Sequence, residues 1–136
     1  MKKKGKKIFF ISPVRLITPE LEAKTREYVE NLEKEGHKVH WPIRDTNQVD
    51  PTLGVNICDT NLKKIHESDE IHVWYMKESS GIHFDIGATY MLIRVLGYKK
   101  RVVFVNKDEF AKEIAEKNIK AFFRVLNFLD ESTKEN

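Results

Sequence analysis

Short apolar runs alternate with longer amphipathic segments along this chain of 136 residues. The short runs are rich in Ile, Val and Phe, which is typical of strands buried on both faces of a sheet. The longer segments repeat their apolar positions every three or four residues, as amphipathic helices do. The pattern predicts four strands, over residues 8–11, 37–41, 71–75 and 101–105.

Residues typical of helix ends mark the start and the end of the first predicted helix. Thr18 is a good N-cap, Pro19 suits the first helical position, and Gly36 suits the residue that follows the end. Pro42 is expected to begin a long polar loop that reaches Pro51. Three further helical segments are predicted: residues 54–67, residues 81–96, and a C-terminal segment after residue 106 that fits one long helix or two helices with a break near residue 118.

Strands that alternate with helices predict an α/β fold with a mostly parallel sheet. We therefore expect a single-domain three-layer sandwich around a flavodoxin- or Rossmann-like sheet of four to five strands. The length of the chain suits one domain. We assign residues 8–136 to that domain and the Lys-rich residues 1–7 to a flexible basic N-terminal tail.

The positive charge of the chain is concentrated at its N-terminus. The formal net charge is +3, but five lysines and no acid occur within residues 1–7, so 19 Lys and Arg oppose 21 Asp and Glu elsewhere. A body with a balance of −2 is not expected to bind nucleic acid specifically. No run approaches the roughly 18 apolar residues needed to cross a bilayer, so no membrane partner is expected.

Cys58 is the only cysteine, which excludes an internal disulfide framework and a Cys-rich zinc site. A chain of this kind fits a reducing compartment, and we expect a cytoplasmic protein. The spacing of the histidines and acids does not match a metal-binding motif either. We therefore predict no metal site, and we predict no organic cofactor.

Candidate binding groups follow the first predicted strand. Ser12 and Arg15 occupy the loop after it, and the carboxyl ends of parallel strands form the edge at which open α/β folds bind ligands. The guanidinium group of Arg15 offers a fork for a phosphate or a carboxylate. The alternative is a surface arginine that pairs with Glu20 or Glu22.

A second group of candidates lies where the third strand leads into a helix. Ser79, Ser80 and Gly81 resemble an anion cradle, because glycine lets a ligand approach the backbone and the helix start presents free N–H groups. Serines at this position are also ordinary helix caps. Asp85 follows one turn later, where a carboxylate is stabilised by the helix dipole or is placed to act at the C1' carbon of a sugar.

In order and spacing, these segments resemble the nucleoside 2-deoxyribosyltransferases and the related 2'-deoxynucleoside 5'-monophosphate N-glycosidases. Ser68-Asp69 opens the strand, Ser79 and Gly81 take the loop positions, and Phe84-Asp85-Ile86-Gly87 replaces the catalytic stretch. Residues 9–15 are similar to the first strand and arginine loop of that family. The resemblance covers roughly residues 7–106. It implies a nucleoside or nucleotide substrate and a homodimer or larger homo-oligomer.

The resemblance also implies roles for single residues. Asp85 takes the position of the nucleophilic Glu and would attack or support C1'. Asn61 takes the position of an Asp and would position the sugar or the base, although an amide cannot shuttle a proton. Ser79, Gly81 and Arg15 match residues that hold the 5' end.

Two more residues are candidates for contacting the substrate. His83 lies two positions before Asp85 and would supply an acid, because an unperturbed imidazole titrates near neutral pH. The alternative is an exposed histidine at the start of a helix. Asp45, in the polar loop after the second strand, is a candidate contact for the base or the sugar.

Three hypotheses about function follow. The first is an enzyme that cleaves or transfers the N-glycosidic bond of a (deoxy)nucleoside or a nucleoside 5'-monophosphate. The second is a non-catalytic nucleotide-binding or sensing module of the same fold, which the replaced acids at positions 61 and 85 favour. The third is a flavodoxin-like or receiver-like signalling domain, although a receiver needs acids after the first strand and this chain has Ser12 to Arg15 there.

Overall fold

The computed structural model describes residues 5–136. Within that range, four strands form one sheet, and the four apolar runs of the sequence supply them. The strands are β1 (Lys7–Ile11), β2 (Lys38–His40), β3 (Glu70–Val73) and β4 (Arg101–Phe104).

Six α-helices occur in the same part of the chain. They are α1 (Pro19–Lys34), α2 (Pro42–Asp45), α3 (Val55–Glu67), α4 (Ser80–Tyr90), α5 (Ala111–Ala115) and α6 (Phe122–Ser132). A π-helical turn (Met91–Val95) continues α4, and a 3₁₀ turn (Lys107–Phe110) precedes α5. The C-terminal segment is therefore interrupted, which decides between the one-helix and two-helix interpretations.

The sheet is entirely parallel, with the strand order β2-β1-β3-β4. This arrangement confirms the predicted α/β class and the three-layer sandwich. The interior strand β1 is apolar and fully buried from Ile8 to Ile11, as expected for a strand covered on both faces.

Two apolar clusters separate the sheet from its helices. On one face, Ile8, Phe10 and Val39 pack against Val29 of α1 and the fully buried Trp41. On the other face, side chains of β1, β3 and β4 pack against α3, α4 and α6. The alternation of side chains along each strand places successive residues in different clusters.

Residues 42–45 depart from the predicted loop, because they form the short helix α2. Pro42 occupies its first turn, and the carboxylate of Asp45 accepts a hydrogen bond from the Trp41 N–H at 2.8 Å. Proline pre-sets the backbone angle of a first helical turn, and a side-chain acceptor satisfies one of its free N–H groups. These two features close one turn within a segment that we expected to be irregular.

The C-terminal helix segment covers the edge of the sheet that β4 forms. The outward backbone N–H of Val102 donates to Thr133 Oγ1 at 2.9 Å, and that of Phe104 donates to Asp130 Oδ2 at 2.8 Å. Exposed strand edges are prone to pairing with other chains. Two side chains of the α6 segment thus satisfy groups that a fifth strand would pair.

The predicted basic tail falls partly outside the described residues, which begin at Gly5. Lys6 and Lys7 belong to the folded part of the chain. The Lys6 carbonyl accepts a hydrogen bond from the Lys38 N–H at 2.9 Å, the Lys6 N–H donates to His37 Nδ1 at 3.0 Å, and Lys7 begins β1. Among residues 5–136, no helix is long and apolar enough to cross a membrane.

Candidate active site

A cleft of about 620 Å³ opens at the carboxyl ends of the strands. Its walls come from the loop after β1, the segment around α2, the N-terminal half of α3, and the turn that leads into α4. Seven of the nine residues selected from the sequence line it: Ser12, Arg15, Asn61, Ser79, Ser80, Gly81 and Asp85.

Asp85 is half-buried in the wall of this cleft, one turn into α4. Its carboxylate receives no hydrogen bond and forms no ion pair with any residue of the range 5–136, and the side-chain contact to this residue, from Thr89 Oγ1 at 2.8 Å, goes to its backbone carbonyl. Burial without a compensating partner raises the pKa of this carboxyl from 3.8 to about 7. A carboxyl with such a pKa, in a cleft, is typical of functional sites.

The turn before α4 presents backbone donors to the same cleft. Ser79 is the N-cap, and its Oγ accepts a hydrogen bond from the Ile82 N–H at 3.4 Å. The N–H groups of Ser80 and Gly81 belong to the first turn, which has no preceding carbonyls to bind. A Cβ atom placed on Gly81 would meet nothing within 4 Å. Both features leave room for an anionic group at this helix start.

Arg15 and Ser12 supply further donors from the loop after β1. Arg15 is exposed and forms no ion pair within the described residues, and Glu22, one of the acids considered as its partner, pairs with Arg26 at 3.2 Å. Ser12 Oγ accepts a hydrogen bond from the buried indole of Trp41 at 3.0 Å. The hydroxyl proton of Ser12 is therefore free to reach a ligand.

Asn61 lies on the opposite wall, on α3, and is only 8% exposed. Its Oδ1 accepts a hydrogen bond from Thr46 Oγ1 at 2.7 Å, and Thr46 Oγ1 in turn lies 2.8 Å from His40 Nε2. The amide of Asn61 is thus held by Thr46, which His40 contacts in turn.

Asp45 and His83 do not line the cleft. The carboxylate of Asp45 binds the Trp41 N–H and the guanidinium of Arg44, at 2.8 Å each, and these contacts hold its pKa below the usual value although burial opposes them. His83 lies between Ser79 O at 2.6 Å and Tyr75 Oη at 2.7 Å. Its contact with the Ser79 carbonyl supports the turn that leads into α4.

Several side chains that line the cleft were not selected from the sequence, among them Gln48, Cys58 and Phe84. Gln48 Nε2 donates to the carbonyl oxygens of Pro42 at 3.0 Å and Thr46 at 3.1 Å. The position of Gln48 in a long polar loop was a signal for it. Cys58 and Phe84 carried no such signal, because their exposure to the cleft depends on how α3 and α4 pack.

A second cleft of about 470 Å³ lies between α1 and the end of β3. Trp74 and Lys24 contribute to its walls, and it shares Glu78 with the first cleft. It contains none of the nine selected residues. Within residues 5–136, no group of three or more His, Cys, Asp or Glu side chains is placed to hold a metal ion.

Two solved structures are similar to this chain in fold. A 2-deoxyribosyltransferase from Bacillus psychrosaccharolyticus superimposes with a TM-score of 0.54 and 20% identity, over 71% of this chain and 69% of that one. This chain has the fold of a 2-deoxyribosyltransferase. The enzyme from Leishmania mexicana superimposes with a TM-score of 0.51 and 20% identity, over 71% of this chain and 63% of its own. The resemblance stated from the sequence is confirmed at the level of the fold.

The two solved enzymes are longer than the part that superimposes, so the alignment spans about two thirds of each. No protein-family model matches the sequence, and no curated protein matches it.

Proposed function

We propose that the protein cleaves or transfers the N-glycosidic bond of a (deoxy)nucleoside or a nucleoside 5'-monophosphate. The observation that carries this proposal is the placement of Asp85, a half-buried carboxylate without a partner in the described chain, in one cleft with an anion cradle. The 2-deoxyribosyltransferase fold supports the same reaction class. The single cysteine fits a reducing compartment, and we propose the cytoplasm.

In this reaction, the residues of each wall of the cleft have a separate role. Arg15 and the N–H groups of Ser80 and Gly81 bind the 5' end of the substrate, where a phosphate adds charge-assisted hydrogen bonds. Asp85 attacks C1' or stabilises the positive charge that develops there as the bond to the base breaks. Asn61 contacts the sugar or the base from α3. Cleavage of this kind needs neither a metal nor an organic cofactor.

A non-catalytic nucleotide-binding module is the second candidate. Asn61 favours it, because a neutral amide cannot transfer a proton to a departing base. Under this alternative, the anion cradle and Arg15 still bind a nucleotide, while Asp85 takes no part in bond cleavage. The two candidates differ in turnover and not in binding.

Chromatographic detection of free base distinguishes them. The protein is incubated with ribo- and deoxynucleosides and their 5'-monophosphates, with and without an acceptor base. Release of base by the wild type and not by Asp85→Asn supports the enzyme, and exchange with the acceptor identifies a transferase. Binding of a monophosphate without release of base from any member of the panel supports the binding module.

We propose further that the protein is a homodimer in which a second copy covers an apolar face of α4 and of the π-helical turn that continues it. The face comprises Phe84, Met91 and Val95, which are 51%, 51% and 66% exposed, with Gly87 between them. A two-fold dimer places the same patch of both subunits face to face, so that the large side chains of one copy would lie against this face of the other. The face begins at the cleft, because Phe84 lines both.

Met91→Glu is expected to convert the dimer to a monomer, since it places a charge within that apolar face. The matched control is Val49→Glu, because Val49 is 83% exposed but lies in the loop before α3. Molar mass is measured by light scattering after size-exclusion chromatography at micromolar concentration. A wild type that is already monomeric, or equal effects of both substitutions, would contradict the proposed interface.

A further inference from the structure

A series of hydrogen-bonded side chains leads from the half-buried His40 to the wall of the cleft. Asn61 and Thr46 are 8% and 6% exposed, and His40 Nε2 lies 2.8 Å from the Thr46 hydroxyl, which donates to Asn61 Oδ1 at 2.7 Å. A hydroxyl has a single proton. Because Thr46 donates its proton to Asn61, the bond from His40 has to be one that Thr46 accepts.

His40 can supply this bond in its neutral form, with its proton on Nε2. Burial lowers the pKa of this histidine, with smaller contributions from the nearby Lys64 and Arg44, while Asp45 opposes them. Its ring stacks on Phe9 with the centroids 5.4 Å apart. A neutral imidazole carries one N–H, and here that proton sits on Nε2 and is donated to Thr46.

These hydrogen bonds fix which group of the Asn61 amide faces the cleft. Its Oδ1 is occupied by Thr46, and its Nδ2 has no hydrogen-bond partner among residues 5–136, so the amide turns its N–H groups to the ligand. The same segment acts on Ser12: Trp41 Nε1, which can only donate, occupies a lone pair of Ser12 Oγ and leaves its proton free.

We propose that His40 and Thr46 are positioning residues that fix Asn61 as a hydrogen-bond donor, so that the site selects a nucleotide with an acceptor atom at that position. The acceptor is a carbonyl oxygen or an unprotonated ring nitrogen. This inference rests on the proposed function for the identity of the ligand as a nucleotide. It adds the polarity of the contact and the two residues that set it.

The same polarity determines how a base departs. As the C1'–N bond breaks, its electron pair goes to the base, which leaves as an anion and then takes a proton from water. The Asn61 N–H groups stabilise this anion without transferring a proton. Cleavage is therefore fastest for bases whose anions are the most stable.

The polarity is tested by binding, which does not require turnover. Titrations with dAMP, dGMP, dCMP and dTMP are followed by calorimetry for the wild type, Thr46→Ser and Thr46→Val. The serine retains the hydroxyl, and we expect unchanged affinity for it. The valine lets the amide rotate, and we expect affinity for the nucleotide that binds best to fall about fivefold to tenfold. Equal affinities for the serine and valine variants would overturn the role of Thr46.

Substitution of Asn61 tests whether this side chain donates to the ligand or accepts from it. Asn61→Asp presents only acceptors to the acceptor atom of the ligand, so we expect it to weaken binding more than Asn61→Ala. Binding of Asn61→Asp as tight as that of the wild type would reverse the assigned polarity. Circular dichroism and thermal unfolding verify that each variant is folded.

Turnover provides a separate measurement. Across a series of 5-substituted dUMP substrates, we expect the rate of base release to rise as the pKa of the free base falls. A rate independent of that pKa would overturn departure as an anion. If no base is released at all, the proposed reaction fails, while the affinities of the Asn61 and Thr46 variants still decide the polarity.

Discussion

Replacing Asp85 with Asn is expected to abolish release of base while it stabilises the fold at neutral pH. The amide matches the shape of the carboxylate but cannot attack C1' or neutralise positive charge there, so we expect a loss of at least about a thousandfold in kcat. The cradle and Arg15 remain, and binding of a 5'-monophosphate is expected to change by less than about fivefold.

The gain in stability follows from the raised pKa of Asp85. Burial lifts this pKa from 3.8 to about 7, so ionising the carboxyl above its unfolded pKa costs folding free energy in the wild type. The full shift sets a ceiling of about 4 kcal/mol. Because the side chain is only half-buried, solvent screens the charge, and we expect about 1–2 kcal/mol. The difference in the free energy of unfolding between Asp85→Asn and the wild type grows from pH 4 to pH 7 and is constant at higher pH.

Thermal unfolding at pH 4, 7 and 8.5 measures this difference. The control is Asp59→Asn, the same substitution at an exposed position of α3. A variant at position 85 that is less stable than the wild type at pH 8.5 would show that the carboxylate is stabilised by its surroundings. An active Asp85→Asn would remove this residue from the mechanism.

Activity of the wild type should follow the same ionisation. The proposed role needs the carboxylate form, so we expect kcat/KM for base release to rise with pH through about 7 and to level off above it. Initial rates in buffers from pH 5 to 9 measure this profile. Constant activity down to pH 5 would contradict a raised pKa at the reacting carboxyl.

Asp130→Ala is expected to destabilise the fold by about 3 kcal/mol, which corresponds to a Tm lower by roughly 10 °C. The carboxylate is 4% exposed, accepts the N–H of Phe104 and pairs with Arg101 at 3.1 Å and Lys107 at 3.3 Å. Its removal leaves a buried N–H without an acceptor and uncovers part of the β4 edge. We also expect association that increases with protein concentration.

The neighbouring Glu131→Ala is the matched control for Asp130→Ala. Glu131 also binds Lys107, at 3.0 Å, and Lys134 at 2.7 Å, but these are contacts at the protein surface. Its substitution is expected to have a small effect. Calorimetric unfolding and light scattering compare the two variants, and equal losses would show that the edge contact of Asp130 contributes little.

The sequence was most informative about elements with a strong local signal. The four strands and the ends of α1 were predicted because buried runs and the Thr18-Pro19 start are determined by nearby residues. The helix α2 was missed, because its first turn depends on a contact between Asp45 and the Trp41 backbone. The π-helical turn after α4 was also missed, since the apolar pattern of residues 91–95 does not distinguish it from an α-helix.

The site shows the same division. Strand order and loop position predicted that Ser12, Arg15 and the Ser79 turn meet at one edge, because parallel strands end together. Sequence also placed Asp85 at a helix start. It could not determine that Asp45 and His83 are used in supporting contacts, because a side chain's partners depend on which elements pack beside it.

The sequence by itself determined the alternation of strands and helices and the set of residue types available for chemistry, since both follow from local pattern and composition. Only the tertiary structure decided which of these residues share a cleft and what state they are in. The raised pKa of Asp85 and the donor polarity of Asn61 come from burial and from hydrogen bonds between segments far apart in the chain. Such properties belong to the packed assembly of elements and not to any one segment.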